Sequence, residues 1–240
     1  MSNSFLLGDS LEIMRDMPSG SVDLVVTSPP YNIRNSTGNG LKNPQISGKW
    51  RNAGLSIGYD QHSDDMPYDE YVMWQRDCLT EMWRLKKPDG AIFYNHKPRG
   101  QNSLWQTRMD VVDGFPLRQM VIWKRSGGIN FTNKYYLPSY EIIFILAEKD
   151  FCISQEATCL TDVWSIHQET NNGHPAPFPE KLVENCLISK PDAQMVLDPF
   201  GGSGTVSLVA TRMNMNSIYI DKSEVYLEQA KRRVESSLFS

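Results

Sequence analysis

Toward one end of the 240-residue chain the sequence runs Met195-Val-Leu-Asp-Pro-Phe-Gly-Gly-Ser-Gly-Thr205, and this stretch decides the fold. A short apolar run ends in an acid, a glycine-rich turn follows, and a helical pattern starts at Val206. Strand, turn and helix N-terminus in that order build a nucleoside-cofactor site. Glycines let the backbone come close to a ligand, and the free N–H groups of the helix start suit an anionic group such as a carboxylate. The spacing is not GxGxxG and no Lys follows the turn, which argues against a dinucleotide or ATP. Sixteen residues beyond Thr205 the next apolar run ends at Asp221. An acid there is placed to accept hydrogen bonds from ribose hydroxyls, and it can also cap the helix that follows.

Working outward, further short apolar runs lie at Val22–Thr27, Ala91–Tyr94, Gln119–Trp123, Ile142–Leu146, Met195–Leu197 and Ser217–Ile220. Each reads as a buried strand of a mainly parallel sheet. Helical spacing occupies Tyr68–Leu85, just after Pro67, and then about Pro179–Ile188, Val206–Met213 and Glu224–Ser236. Strands alternating with helices predict a doubly wound, three-layer α/β fold, with residues 1–240 forming a single domain.

Composition sets the bounds. Hydrophobic residues make up 40% and charged ones 22%, as in ordinary globular enzymes. No apolar run approaches the roughly 18 residues that span a bilayer, and Met1–Leu11 lacks the pattern of a secretory leader, so the expectation is cytoplasmic. Four scattered cysteines (Cys78, Cys152, Cys159, Cys186) predict buried free thiols, with neither a disulfide framework nor a metal site. The net charge of −4 is unevenly spread: residues 84–134 hold ten basic side chains against three acidic ones. That asymmetry suits one phosphate-facing surface, although a solvated face would look the same.

The second informative stretch is Val22-Asp-Leu-Val-Val-Thr-Ser28-Pro29-Pro30-Tyr31-Asn32. The two prolines stiffen the turn after the strand and remove two N–H donors, freeing nearby carbonyls to face a cavity. An exocyclic amino group is a poor nucleophile because its lone pair is delocalised into the base. Acceptors on both amino hydrogens, Ser28 Oγ and the Pro29 carbonyl, would aim that lone pair at an electrophilic methyl while Tyr31 stacks on the base. Such chemistry needs no covalent intermediate and no metal. The base must leave the duplex, at a cost of a few kcal/mol that stacking of roughly 1–3 kcal/mol offsets.

Taken together, the two stretches resemble those of the beta-class DNA amino-methyltransferases, in which the catalytic motif precedes the cofactor motif. Ser28-Pro-Pro-Tyr31 resembles the catalytic (D/S/N)PP(Y/F) motif and Asp198-Pro-Phe-Gly-Gly-Ser-Gly-Thr205 the cofactor motif, 170 residues later. RNA and protein amide methyltransferases with a similar NPPY motif usually place the glycine motif first. The resemblance implies a Rossmann-like, mostly parallel sheet with an antiparallel edge hairpin, Tyr140–Leu146 supplying one hairpin strand and Gly90–Asn95 a pocket-lining strand. It implies S-adenosyl-L-methionine as cofactor, held by Asp9, Ser10, Asp198, Phe200, Gly201, Gly202, Gly204, Thr205 and Asp221. Pro179 and Lys181 join them from the segment His174-Pro-Ala-Pro-Phe-Pro-Glu-Lys-Leu182, where His174 is read as structural. Ser28, Pro29, Pro30 and Tyr31 are the expected catalytic residues.

Serine rather than aspartate at position 28 leans toward cytosine N4 as target, although the serine form followed by Asn also occurs in adenine-N6 enzymes. The expected partner is double-stranded DNA, with a homodimer and a cognate restriction endonuclease implied more distantly. No separate recognition domain is visible. DNA contact is therefore expected from a mobile loop at 34–63, carrying Lys42, Lys49 and Arg51, and from a DNA-facing insert at 97–134, carrying Lys97, Arg99, Lys124 and Arg125.

Overall fold

The computed structural model describes residues 2–32, 66–101, 104–125, 133–168 and 178–237. In chain order the elements are β1 (Asn3–Leu7), α1 (Ser10–Asp16), β2 (Val22–Thr27), α2 (Tyr68–Leu85), β3 (Lys86–His96), β4 (Arg99–Gln101), β5 (Leu104–Gln106), α3 (Met109–Val112), β6 (Leu117–Lys124), β7 (Tyr140–Ala147), β8 (Val163–Ser165), α4 (Glu180–Leu187), β9 (Met195–Asp198), α5 (Thr205–Arg212), β10 (Asn216–Asp221) and α6 (Glu224–Ser237). Eight strands form one sheet in the order β1-β10-β9-β2-β3-β7-β6-β8, and β4–β5 form a separate small hairpin. All neighbouring pairs of the main sheet run parallel except those made by β7, which is antiparallel to both β3 and β6.

Alternation along each strand sorts the core into two layers, because successive side chains point to opposite faces. Leu24, Val26, Phe93, Ile143 and Val196 pack with Leu182, Val183, Val206 and Val209 of α4 and α5. Val25, Ile92, Phe144, Leu197 and Ile220 pack with Met14 of α1 and Cys78, Leu79 and Met82 of α2. The doubly wound α/β reading is thus met. Its hairpin, however, is not at the sheet edge: β7 is internal, and the three-residue β8 covers β6 from outside.

Position of the site follows from one pairing. From β9 the chain moves through α5 to β10 on one side, and from β2 through α2 to β3 on the other. β2 and β9 are themselves hydrogen-bonded neighbours, Leu24 opposite Val196 and Val25 opposite Leu197. A crevice between strands whose connections depart in opposite directions is where open α/β sheets bind ligands, at the carboxyl ends. At the other end of the pair, Asp23 Oδ2 accepts from the Gln194 and Met195 amides at 3.0 and 2.9 Å, pinning the register.

Two further expectations need correction, and another falls on residues outside those described. The region 97–134 is not an insert as a whole, since β6 within it belongs to the main sheet. Cys152 and Cys159 are exposed; only Cys78 and Cys186 are buried thiols. The segment 34–63, with Lys42, Lys49 and Arg51, lies outside the described residues, as does His174.

Candidate active site

A cleft opens at the carboxyl ends of β9, β10, β1 and β2. Its walls include Asp9, Ser10, Ser28, Pro30, Tyr31, Asp198, Phe200, Gly201, Gly202, Thr205 and Asp221, so residues from both ends of the sequence meet in one space. The cleft is open to solvent and encloses about 960 Å³ when the space at its mouth is included.

The glycine turn is clamped onto β10. The Gly201 amide donates to the Ile220 carbonyl at 2.9 Å, the Gly204 amide to the Gly201 carbonyl at 2.8 Å, and the Tyr219 hydroxyl to the Gly202 carbonyl at 2.9 Å. A Cβ on Gly201 would stand 2.1 Å from the Tyr219 ring, and one on Gly204, where φ is +73°, would stand 2.5 Å from Ala230 Cβ. These two glycines are therefore required by packing of the turn against β10 and α6, a different reason from approach to a ligand. Gly204 itself lies behind the walls of the cleft.

Acidic groups surround the turn. Asp221 accepts from the Gly202 amide on Oδ2 and the Ser223 amide on Oδ1, each at 2.8 Å, which fixes the carboxylate at the strand tip. Ser223, whose hydroxyl accepts from the Tyr226 amide, takes the capping role once considered for Asp221. Asp9 caps α1 through the Leu11 and Glu12 amides and pairs with Lys222 at 2.7 Å. Burial works to raise its pKa, but the Lys222 contact and the two amides prevail and hold it below the usual carboxylate range. Asp198 differs: burial pushes its carboxyl up to about 7, although Thr27 Oγ1 and the Phe200 amide donate to Oδ1 at 2.7 and 3.1 Å. The Ser10 hydroxyl donates to the Pro199 carbonyl, tying α1 to the turn.

Aromatic side chains that sequence reasoning did not single out complete the walls: Trp74 from α2, edge to face with Phe200 at 5.7 Å, together with Phe178 and Tyr226. Trp74 read as one more apolar position on a helix, so spacing alone gave no signal for it. Lys181 is displaced from its expected place. It is solvent-facing on α4 and pairs with Glu184 at 3.1 Å, while Pro179 only precedes that helix as its N-cap. Glu180 beside them is bound by Arg212 and Arg233, and Arg233 also donates to Thr205 Oγ1 at 2.8 Å, linking α4 and α6 to the turn.

Around Ser28 the hydrogen bonds form a closed cluster. Ser28 Oγ is 2.6 Å from the Tyr31 hydroxyl, which donates to Glu141 Oε2 at 2.9 Å. Asn95 Nδ2 lies 2.6 Å from the Tyr31 oxygen, 2.8 Å from Glu141 Oε2 and 3.3 Å from Ser28 Oγ. One face of the Tyr31 ring is stacked on His96, centroids 5.1 Å apart. The Pro30 carbonyl is taken by the Tyr71 hydroxyl at 2.8 Å and by Gln75 Nε2 at 3.4 Å. Pro29 is buried and is not among the cleft walls.

Two cations assigned to DNA point inward. Arg99 is buried, with Nη1 donating at 2.6 Å to the carbonyl of Asn32, whose φ of 57° turns the chain after the motif. Arg125 pairs with Glu141 at 3.3 Å, both side chains under a tenth exposed. Lys97 is partly buried, and desolvation lowers its pKa. Among the described residues assigned to DNA contact, Lys124 alone is exposed. Among the described residues no group of His, Cys, Asp and Glu is placed to hold a metal ion.

Comparison with known proteins agrees with this geometry. The DNA methylase family of the N6/N4 type matches residues 22–232, and the chain belongs to that family. It is 27% identical over 253 aligned residues to the type II methyltransferase M.BglII of Bacillus subtilis, covering 88% of this chain and 63% of that protein; the chain therefore spans under two thirds of that relative. It is 24% identical to M.HpaI of Haemophilus parainfluenzae, covering 98% of this chain and 75% of that one. Among solved structures, the cytosine-N4-specific PvuII DNA methyltransferase superposes with a TM-score of 0.73 at 21% identity, over 100% of this chain and 91% of the other. M1.HpyAVI in its SAM complex gives 0.63 at 18%, over 96% and 98%. At those identities the likeness shows a shared α/β methyltransferase fold. The family's cofactor is S-adenosylmethionine, and the cleft suits it: a fixed acid at a strand tip, aromatic walls, and a glycine turn leading into a helix.

Proposed function

We propose that the protein transfers a methyl group from S-adenosyl-L-methionine to an exocyclic amino nitrogen of a base flipped out of double-stranded DNA, with cytosine N4 as the target and adenine N6 as the alternative. The observation that carries this reading is the shared cleft: Ser28 and Tyr31 of the β2 turn face the same space as Asp198, Gly201, Gly202 and Asp221. When bound, the cofactor supplies an electrophilic methyl on a sulfonium sulfur, which keeps the C–S electron pair.

Asp221, a fixed carboxylate at the strand tip, would accept from the ribose hydroxyls, and Trp74, Phe200 and Tyr226 would enclose the nucleoside. Asp198, whose carboxyl sits near neutrality, offers negative charge to a cationic ligand. Ser28 Oγ accepts one amino hydrogen of the base. Because the Pro30 carbonyl is already occupied, the acceptor assigned to the other is the Pro29 carbonyl, even though Pro29 itself is buried and not among the cleft walls. With both hydrogens held, the nitrogen lone pair is directed at the methyl. The C–N bond would form as the C–S bond breaks, one amino proton would then be released to solvent, and rate comes from positioning and fixed dipoles.

The lean toward cytosine rests on serine at the first motif position and on the cytosine-N4 specificity named for the PvuII enzyme. Transfer of labelled methyl to duplex DNA, RNA and peptide, followed by chromatography of the released nucleosides, tests both levels. N4-methyldeoxycytidine is expected; N6-methyldeoxyadenosine would change the base, and absence of label in any DNA at low salt would overturn the proposal. Partnership with a restriction endonuclease, in keeping with the type II naming of the relatives, and with a second copy both stay within this proposal.

A further inference from the structure

Glu141 is a buried acid at the second position of an otherwise mostly apolar strand, and nothing in the reaction as described above calls for it. It is 4% exposed on β7, its Oε1 faces Arg125, and its Oε2 faces both Tyr31 and Asn95. A buried charge pair is costly to assemble and is weak evidence for stability, so its presence beside the catalytic turn asks for another reason. We infer that Glu141 is a positioning residue that sets the polarity of Ser28, an inference resting on the methyl-transfer reading above.

Proton counting carries the argument. A carboxylate only accepts. Asn95 must therefore turn its amide nitrogen toward Oε2, as observed at 2.8 Å, and Tyr31 must give its single hydroxyl proton to Oε2, as observed at 2.9 Å. With that proton committed, the 2.6 Å contact between Ser28 Oγ and the Tyr31 oxygen has only one possible donor, Ser28. The serine proton then points away from the cleft and its lone pairs point into it. Ser28 is thereby made an acceptor, the polarity that an amino group presenting hydrogens requires. Reversal of the same chain would aim a hydroxyl proton at those hydrogens.

Glu141→Gln supplies that reversal with little change of shape. Arg125, a donor only, draws the amide oxygen to the Oε1 position, which places the NH2 group against Tyr31. Tyr31 then accepts from residue 141 and gives its proton to Ser28. The expected result is a fall in kcat on the order of 10²-fold, as for loss of one preoriented transition-state group, with the Kd for S-adenosylmethionine within about twofold of wild type. Tyr31→Phe, which leaves Glu141 paired with Arg125, should lose a similar factor, and the double variant should lose no more than the larger single loss. Normal turnover in Glu141→Gln, or losses that multiply in the double variant, would overturn the relay. Should Glu141→Gln fail to bind cofactor or to fold, normal turnover in Tyr31→Phe overturns it alone. Wild-type protein inactive on all DNA would instead refute methyl transfer itself, so the two failures are distinguishable.

Discussion

At the tip of β9 the Asp198 carboxyl is enclosed by Thr27 and the Phe200 amide, and burial raises its pKa from 3.8 to about 7. The folded protein therefore retains a proton that the unfolded chain gives up near pH 4. Stability from this group is complete below about pH 4 and is lost as pH rises to about 7. Denaturant midpoints of the cofactor-free protein should be lower at pH 8 than at pH 5, with a smaller difference in Asp198→Asn; an equal difference in both proteins would reject the assignment. At Asp221 the expectation is one of binding. Asp221→Ala should raise the cofactor Kd by about 10- to 100-fold, the range for hydrogen bonds to a charged group, and unchanged binding by calorimetry would remove the ribose role. Single residues were also where sequence reading was weakest. Ser28, Asp198 and Asp221 announce themselves through their motifs, whereas Arg99 and Arg125 were read as DNA contacts because a cation's direction is invisible in sequence. Their inward turn depends on Asn32 and Glu141, partners 67 and 16 residues away.

Among the elements, the glycine turn between β9 and α5 shows how packing hides inside a motif. Sequence spacing located it correctly, together with the strand before it and the helix after it, yet gave ligand approach as the reason for its glycines. The reason visible at Gly201 is the Tyr219 ring. Gly201→Ala should destabilise the protein by roughly 1–3 kcal/mol through overpacking, seen as a melting temperature about 2–4 °C lower for each kcal/mol; an unaltered melting curve would show that the turn relaxes freely. Long, strongly patterned elements such as α2 were legible at both ends. β1 and β8 were not: one is a short edge strand of mixed polarity, the other has three residues, and neither shows an alternation long enough to stand out.

For the whole molecule, the concentration of positive charge in residues 84–134 presents less to solvent than its composition suggests. Arg108 is buried between the Tyr68 and Tyr71 rings, and Arg99 and Arg125 are buried too, while Lys124 is exposed. Lys124→Ala should reduce the slope of log K for duplex DNA against log salt by about 0.9, the share of one phosphate contact; an unaltered slope would place the contact surface elsewhere. The adjacency of β2 and β9 also has a consequence for the chain while it is being made. Ser28 leaves the ribosome 170 residues ahead of Asp198, a delay of roughly 10–30 s at synthesis rates of about 5–20 residues per second. Throughout that interval β2 lacks its neighbour and the sheet has no middle. A nascent or prematurely terminated polypeptide that stops short of β9 consequently has Ser28 and Tyr31 without the Asp198 and glycine-turn walls they share a cleft with.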